Sequence, residues 1–115
     1  MNPGRYNLTV YKGTTFQLKP VWKIGGVAVN LTSYTADMQV RYATDTSIIV
    51  ELSTSNGRIT IDAAYGRVNL TISAADTATL AAGTYQYDLN LTNTADGTIY
   101  KILQGTFVVA ASVTQ

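Results

Sequence analysis

Seven carboxylates, with no histidine and no cysteine, set the chemistry open to this 115-residue chain. The acids are Asp37, Asp45, Glu51, Asp62, Asp76, Asp88 and Asp96. Glycoside hydrolysis would need two of them facing one another across a cleft. Most instead occupy outward strand positions or turns, where a carboxylate is simply solvated, so no catalytic pair is expected. The missing histidine removes the commonest general base and metal ligand. The missing cysteine removes a thiolate nucleophile, a sulfur metal site and any disulfide framework. The stretch "NTADG" (93–97) has the outline of a calcium loop. It lacks the alternating oxygen ligands and the distal bidentate glutamate of one, and a hairpin turn accounts for it. The glycines of "GG", "YG" and "QG" lack the spacing that cradles phosphate. No catalytic, cofactor-binding or metal residue is assigned, and no cofactor is expected.

The tripeptide "NLT" recurs at residues 7–9, 30–32, 69–71 and 90–92, and each copy fits an N-glycosylation acceptor. The two-residue period of a strand explains it better. In "RYNLTVY" Tyr6, Leu8 and Val10 share one face, with Asn7 and Thr9 on the other. "RVNLTI" and "TYQYDLNLT" repeat this pattern, placing Leu70, Leu89 and Leu91 inward and their polar neighbours outward. The copy at 30–32 reads as a strand end entering a turn.

Other segments obey the same rule. "TFQLKPVWKI" places Phe16, Leu18, Trp22 and Ile24 on one face, and Pro20 marks an edge or a bulge there. Gly25-Gly26 is a hairpin turn. "YTADMQVRY" alternates with Ala36, Met38, Val40 and Tyr42 inward, and "SIIVEL" with Ile48, Val50 and Leu52 inward. Asn56-Gly57 is a turn signal before the inward Ile59 and Ile61. The Ala-rich "SAADTATLAAG" breaks the pattern and predicts one short helix, with Ser73 as its N-cap and Asp76 three residues on. The last strand, "TIYKILQGTFVV", is apolar on both faces, with Gly105 as a bulge that switches phase. Such a strand either lies centrally in the fold or lies against another chain. Tyr6, Tyr42, Tyr85 and Tyr87 fall on core-facing positions, whereas Tyr11, Tyr65 and Tyr100 are the better surface candidates.

Composition agrees with an all-β chain. Charged residues make up 13% of it, about half the usual share of roughly 25%. The net charge of +1 gives no basic field for nucleic acid. The N-terminus lacks a signal-peptide pattern, no apolar run approaches the roughly 20 residues of a membrane span, and neither nucleic acid nor membrane is an expected partner. The expected architecture is an immunoglobulin-like antiparallel β-sandwich of eight or nine strands with one short helical turn. Its expected limits are an N-terminal arm (1–5), a single domain (6–109) and a C-terminal tail (110–115). In "ADTATLAAGTYQY" Tyr85 sits where immunoglobulin-like domains place a corner tyrosine.

The order "YNLTVYKGTTFQLKPVWK", "VNLTSYTADMQVR", "GRITIDAAYGRVNLTISAADTATLAAGTYQYDLNL" resembles a family of small tailed-bacteriophage virion proteins. It is also similar to the N-terminal module of phage baseplate upper proteins. The resemblance implies a non-enzymatic bacteriophage virion structural protein, foremost a capsid decoration or cement protein binding the major capsid protein. A tail, baseplate or neck adaptor and a glycan-binding β-sandwich are the alternatives. Localisation would be the virion, assembled in the bacterial host cytoplasm, with tail or baseplate proteins as second partners. Under this reading Tyr100, Ile102, Leu103, Phe107 and Val109 form a homo-oligomer interface. Arg5, Tyr11, Tyr65, Asn93 and Asp96 contact the partner.

Overall fold

The computed structural model describes residues 4–42 and 47–111. Asp45, residues 1–3 of the expected arm and residues 112–115 of the expected tail lie outside the described residues. The fold is an all-β sandwich. Its strands are β1 (Gly4–Arg5), β2 (Leu8–Tyr11), β3 (Phe16–Leu18), β4 (Lys23–Ile24), β5 (Val27–Ala28) and β6 (Tyr34–Tyr42), followed by β7 (Ile48–Ser53), β8 (Ile59–Asp62), β9 (Arg67–Ile72), β10 (Gly83–Asn93) and β11 (Ile99–Ala110). A 3-10 turn at Ala63–Tyr65 precedes β9, and helix α1 (Ala74–Ala78) follows it.

The larger sheet runs β1-β11-β10-β6-β7, with β2 also pairing β11. The smaller sheet runs β3-β9-β8, and β4 and β5 pair only with each other. All pairings are antiparallel except those of β1 and β2 with β11, which are parallel. The short pieces raise the strand number above eight or nine for local reasons. Near Pro20 one expected long strand divides into β3 and β4, and the expected Gly25-Gly26 turn joins β4 to β5. At the N-terminus the chain leaves the ladder beside Gly105, dividing β1 from β2.

The core lies between the sheets. Met38, Val40, Leu52 and Leu89 from the larger sheet meet Ile59, Val68, Leu70 and Ile72 from the smaller, all at 0 or 1% exposure. Each such aliphatic side chain contributes roughly 1.5–3 kcal/mol by leaving water. The "NLT" reading holds: Leu8, Leu70 and Leu91 are buried on strands while Asn7, Thr9 and Thr71 are exposed. The copy at 30–32 is a turn, in which the Thr32 N–H donates to Asn30 Oδ1 at 3.0 Å.

Four inward assignments fail. The β6–β7 register shifts between Val40 and Arg41, so Ile48 pairs with Arg41 and turns outward. Tyr42 has the right parity but ends its strand, where it packs at an angle against the Tyr85 ring and stays 44% exposed. Tyr6 is diverted where the chain leaves the ladder, and Ile24 stands at a hairpin tip.

The helix forms as its sequence predicts, with the Asp76 N–H donating to Ser73 Oγ at 3.2 Å. Thr77 is its one buried residue, and its hydroxyl donates to the Thr14 carbonyl at 2.7 Å. Beyond it the Tyr85 hydroxyl donates to the Ala81 carbonyl at 2.6 Å, four residues upstream, which closes the expected tyrosine corner. A Tyr85→Phe variant is expected to lose about 1 kcal/mol in urea unfolding. An unchanged midpoint would mean that the corner is held by packing alone.

Candidate interaction surfaces

Strand β11 lies inside the larger sheet, between β10 on one side and β1 and β2 on the other. Phe107, Val109 and Ile102 are 0, 2 and 8% exposed, so three of the five expected interface residues are spent on the protein's own core. Tyr100 is half-buried, its ring 5.2 Å from Trp22 and tilted against Tyr34. Leu103 is half-buried as well. The apolar character of both faces comes from a register shift. The ladder slips opposite Leu89 and Asn90, so Ile102 and Leu103 both fall near the core. The phase change is there, at Ile102, three residues before the expected Gly105.

The expected partner contacts are not brought together. Tyr11 pairs with Ala110 at one end of β11, and Arg5 pairs with Gln104 midway along it. Tyr65 belongs to the 3-10 turn, while Asn93 and Asp96 belong to the β10–β11 hairpin. These last three share the opposite end of the sandwich. There the Leu31 N–H donates to Ala63 O at 3.0 Å, and the Thr94 N–H to Ser33 O at 2.8 Å. Asp96 is committed to its own turn: it accepts the Thr98 N–H at 2.9 Å, which holds its carboxyl below the usual range.

Most of the described carboxylates lie on outward strand positions or in turns, and Asp76 lies in the first turn of helix α1. Asp62 pairs with Arg67, Asp76 with Arg58 and Asp88 with Lys101. Among the described residues no group of His, Cys, Asp or Glu is arranged to hold a metal ion. Among the described carboxylates, Asp37 is the one pushed upward. Partial burial on the outer face of the larger sheet raises its pKa, with Asp88 and Glu51 adding to the effect and Arg41 opposing it. A raised folded-state value means that the folded protein holds this proton more tightly than the unfolded chain. Stability contributed by Asp37 is therefore full below its unfolded pKa and is lost as pH rises through the folded one. Asp37→Asn should raise the melting temperature at pH 7 and leave it unchanged near pH 3. Calorimetry at the two pH values checks this, and a gain of equal size at both would contradict the charge argument.

The most exposed apolar side chains gather at the Tyr65 end. Gly25 and Gly26, both at positive φ (60° and 81°), close the β4–β5 hairpin in the turn that fits its twist. Ile24 and Val27 face each other across it and stand 54 and 70% exposed. The base is fixed by main-chain bonds, Val29 N–H to Trp22 O at 2.9 Å and Trp22 N–H to Gly66 O at 2.8 Å. Gly66 adopts a left-handed conformation, and a Cβ there would lie 2.8 Å from Trp22 O. Under the hairpin Trp22 is 7% exposed and packs edge-on against Tyr34 at 6.0 Å. Tyr65, 65% exposed, lies beneath the Arg67 guanidinium at 5.7 Å. The sequence pattern marked Tyr65 as a surface residue but assigned Ile24 to the core. The adjacent Gly-Gly, which lifts the tip clear of both sheets, was the available signal.

The fold has known parallels. It is similar to that of CopC from Methylosinus trichosporium OB3b, with a TM-score of 0.51 and 15% identity, over 94% of this chain and 89% of that one. At that identity the likeness is one of fold. No protein-family model matches the chain, and no curated protein matches it. The likeness to CopC overturns the resemblance to bacteriophage virion proteins. The capsid decoration or cement role goes with it, as do the tail-adaptor and glycan-binding alternatives. The virion partners, the associated homo-oligomer and the virion localisation are likewise withdrawn.

Proposed function

We propose that the chain is a non-catalytic binding module, a single sandwich domain over residues 6–109 whose strands extend to Gly4 and Ala110. It engages a partner protein through the tip of the β4–β5 hairpin. The observation that carries this reading is the paired exposure of Ile24 and Val27 on a hairpin that touches neither sheet through strand pairing. Single exposed aliphatics are ordinary, but a contiguous apolar patch on a rigid support is what interfaces use as an anchor. Tyr65 and Arg67 beside it are residue types enriched at interface centres.

Site-specific photo-crosslinking in cells that naturally make the protein tests the proposal. A photoreactive residue replacing Val27 should give one discrete protein adduct, lost when Ile24→Asp is added. The same residue replacing Thr9, on the outer face of the larger sheet, should give none. Equal adducts from both sites, or none from the hairpin, would overturn the reading. Ile24→Asp lies outside the core, so an unchanged melting curve accompanies the expected loss.

A further inference from the structure

A second surface, independent of the hairpin tip, lies on the open side of the sandwich. A groove of about 390 Å³ runs there between the two sheets. That is near the lower end of the roughly 300–1,000 Å³ typical of ligand pockets. Arg5, Tyr6 and Leu103 form one wall, and Leu18, Lys19, Pro20 and Val21 form the other. Each wall belongs to the edge of a sheet, since β1 ends the larger sheet and β3 ends the smaller.

Three observations say what fits. The walls offer two cations and no carboxylate. Neither Arg5 nor Lys19 makes an ion pair or side-chain hydrogen bond with another described residue, unlike Arg58, Arg67 and Lys101. The backbone of β1 has a free side. The Tyr6 N–H donates to Gln104 O at 2.9 Å, so strand alternation directs the N–H and C=O of Arg5 away from β11. On the facing wall Pro20 has no N–H, and its carbonyl already accepts from Val68 N–H at 2.9 Å. Pro20 thus gives a docked strand no main-chain partner, and with Leu18 and Val21 it makes this wall the more apolar of the two, while Lys19 by the same alternation turns its N–H and C=O to the open edge.

We infer that this groove docks an extended acidic segment of another protein, laid as an added strand along β1. Its backbone pairs with Arg5, its carboxylates meet Arg5 and Lys19, and its alternate apolar side chains settle against Tyr6, Leu18 and Leu103. Strand addition draws affinity from main-chain bonds and specificity from side chains at alternate positions. The two cations select the sign of charge.

An NMR titration of the whole protein with two N-acetylated hexapeptides decides the matter, one alternating glutamate and valine, the other lysine and valine. The glutamate peptide should give saturable amide shifts confined to Arg5, Tyr6, Leu18, Lys19, Val21 and Leu103. Doubling as a charge test, Arg5→Glu with Lys19→Glu should weaken it roughly tenfold and reverse the preference between peptides. Lys19→Glu alone, at an exposed residue, keeps the test open if the double variant fails to fold. Equal binding of the two peptides, shifts spread beyond the groove, or no saturation at millimolar peptide would each overturn the inference. The hairpin variant Ile24→Asp should leave this titration unchanged.

Discussion

Gly105→Ala is expected to destabilise the protein by an amount on the order of 3 kcal/mol, the sum of backbone strain and overpacking. In a domain of this size that is a fall in melting temperature of roughly 10–20 °C. The reason is a close approach of two backbones. A Cβ at Gly105 would lie 2.3 Å from the carbonyl oxygen of Tyr6 and 2.9 Å from its carbon. Neither atom can retreat freely. Tyr6 O accepts the buried Tyr87 hydroxyl at 2.6 Å, and Asn7 Oδ1 accepts the Thr106 N–H at 3.2 Å. The added methyl must push the N-terminal strands off β11, so protection of the Leu8 and Val10 amides against hydrogen exchange should fall further than that of Leu89. A drop of only a degree or two, with exchange unaltered, would show that the junction yields without cost.

Phe107→Ala carries the largest expected loss, about 3–5 kcal/mol. Total stability of a domain is typically about 5–15 kcal/mol, so a substantial part of it is at stake. Phe107 is fully buried, and its ring meets Phe16 edge-on at 5.9 Å. Phe107 belongs to β11 and Phe16 to β3, so this contact joins the two sheets. Urea unfolding followed by tryptophan fluorescence measures the effect, and Phe107→Leu should lose far less because it refills most of the space. The experiment also separates the two roles open to an apolar last strand. A phenylalanine that served only another subunit would leave the unfolding midpoint of the monomer unchanged.

Much of the architecture was legible because strand period and turn chemistry are local. Asn56-Gly57 forms its turn, with Asn56 Oδ1 accepting both the Ser53 and Arg58 N–H groups at 3.0 Å. Ser73 caps its helix and Tyr85 closes its corner. The failures have a shared cause in register, which a single strand does not contain. Ile48 looks inward by parity and is turned out by a shift in its partner strand. Ile102 and Phe107 looked available to another subunit because the β10–β11 slip and the flanking N-terminal strands are long-range facts. Thr77 was missed for the same reason. Nothing near it in sequence announces that its hydroxyl will reach Thr14, 63 residues away. The candidate surfaces were less legible still, since β1 and β3 meet at the groove only after both sheets have formed.

The parallel pairing of β1 and β2 with β11 has a mechanical consequence. These strands point the same way, so a pull applied before Gly4 and beyond Ala110 draws them past one another along their length. The hydrogen bonds between Leu8–Tyr11 and their partners would then carry the load together, in shear. An antiparallel pair pulled from adjacent ends opens one bond at a time. Tension along the chain therefore meets its resistance at this seam, and the β4–β5 hairpin and the edge groove keep their shape until the seam slides.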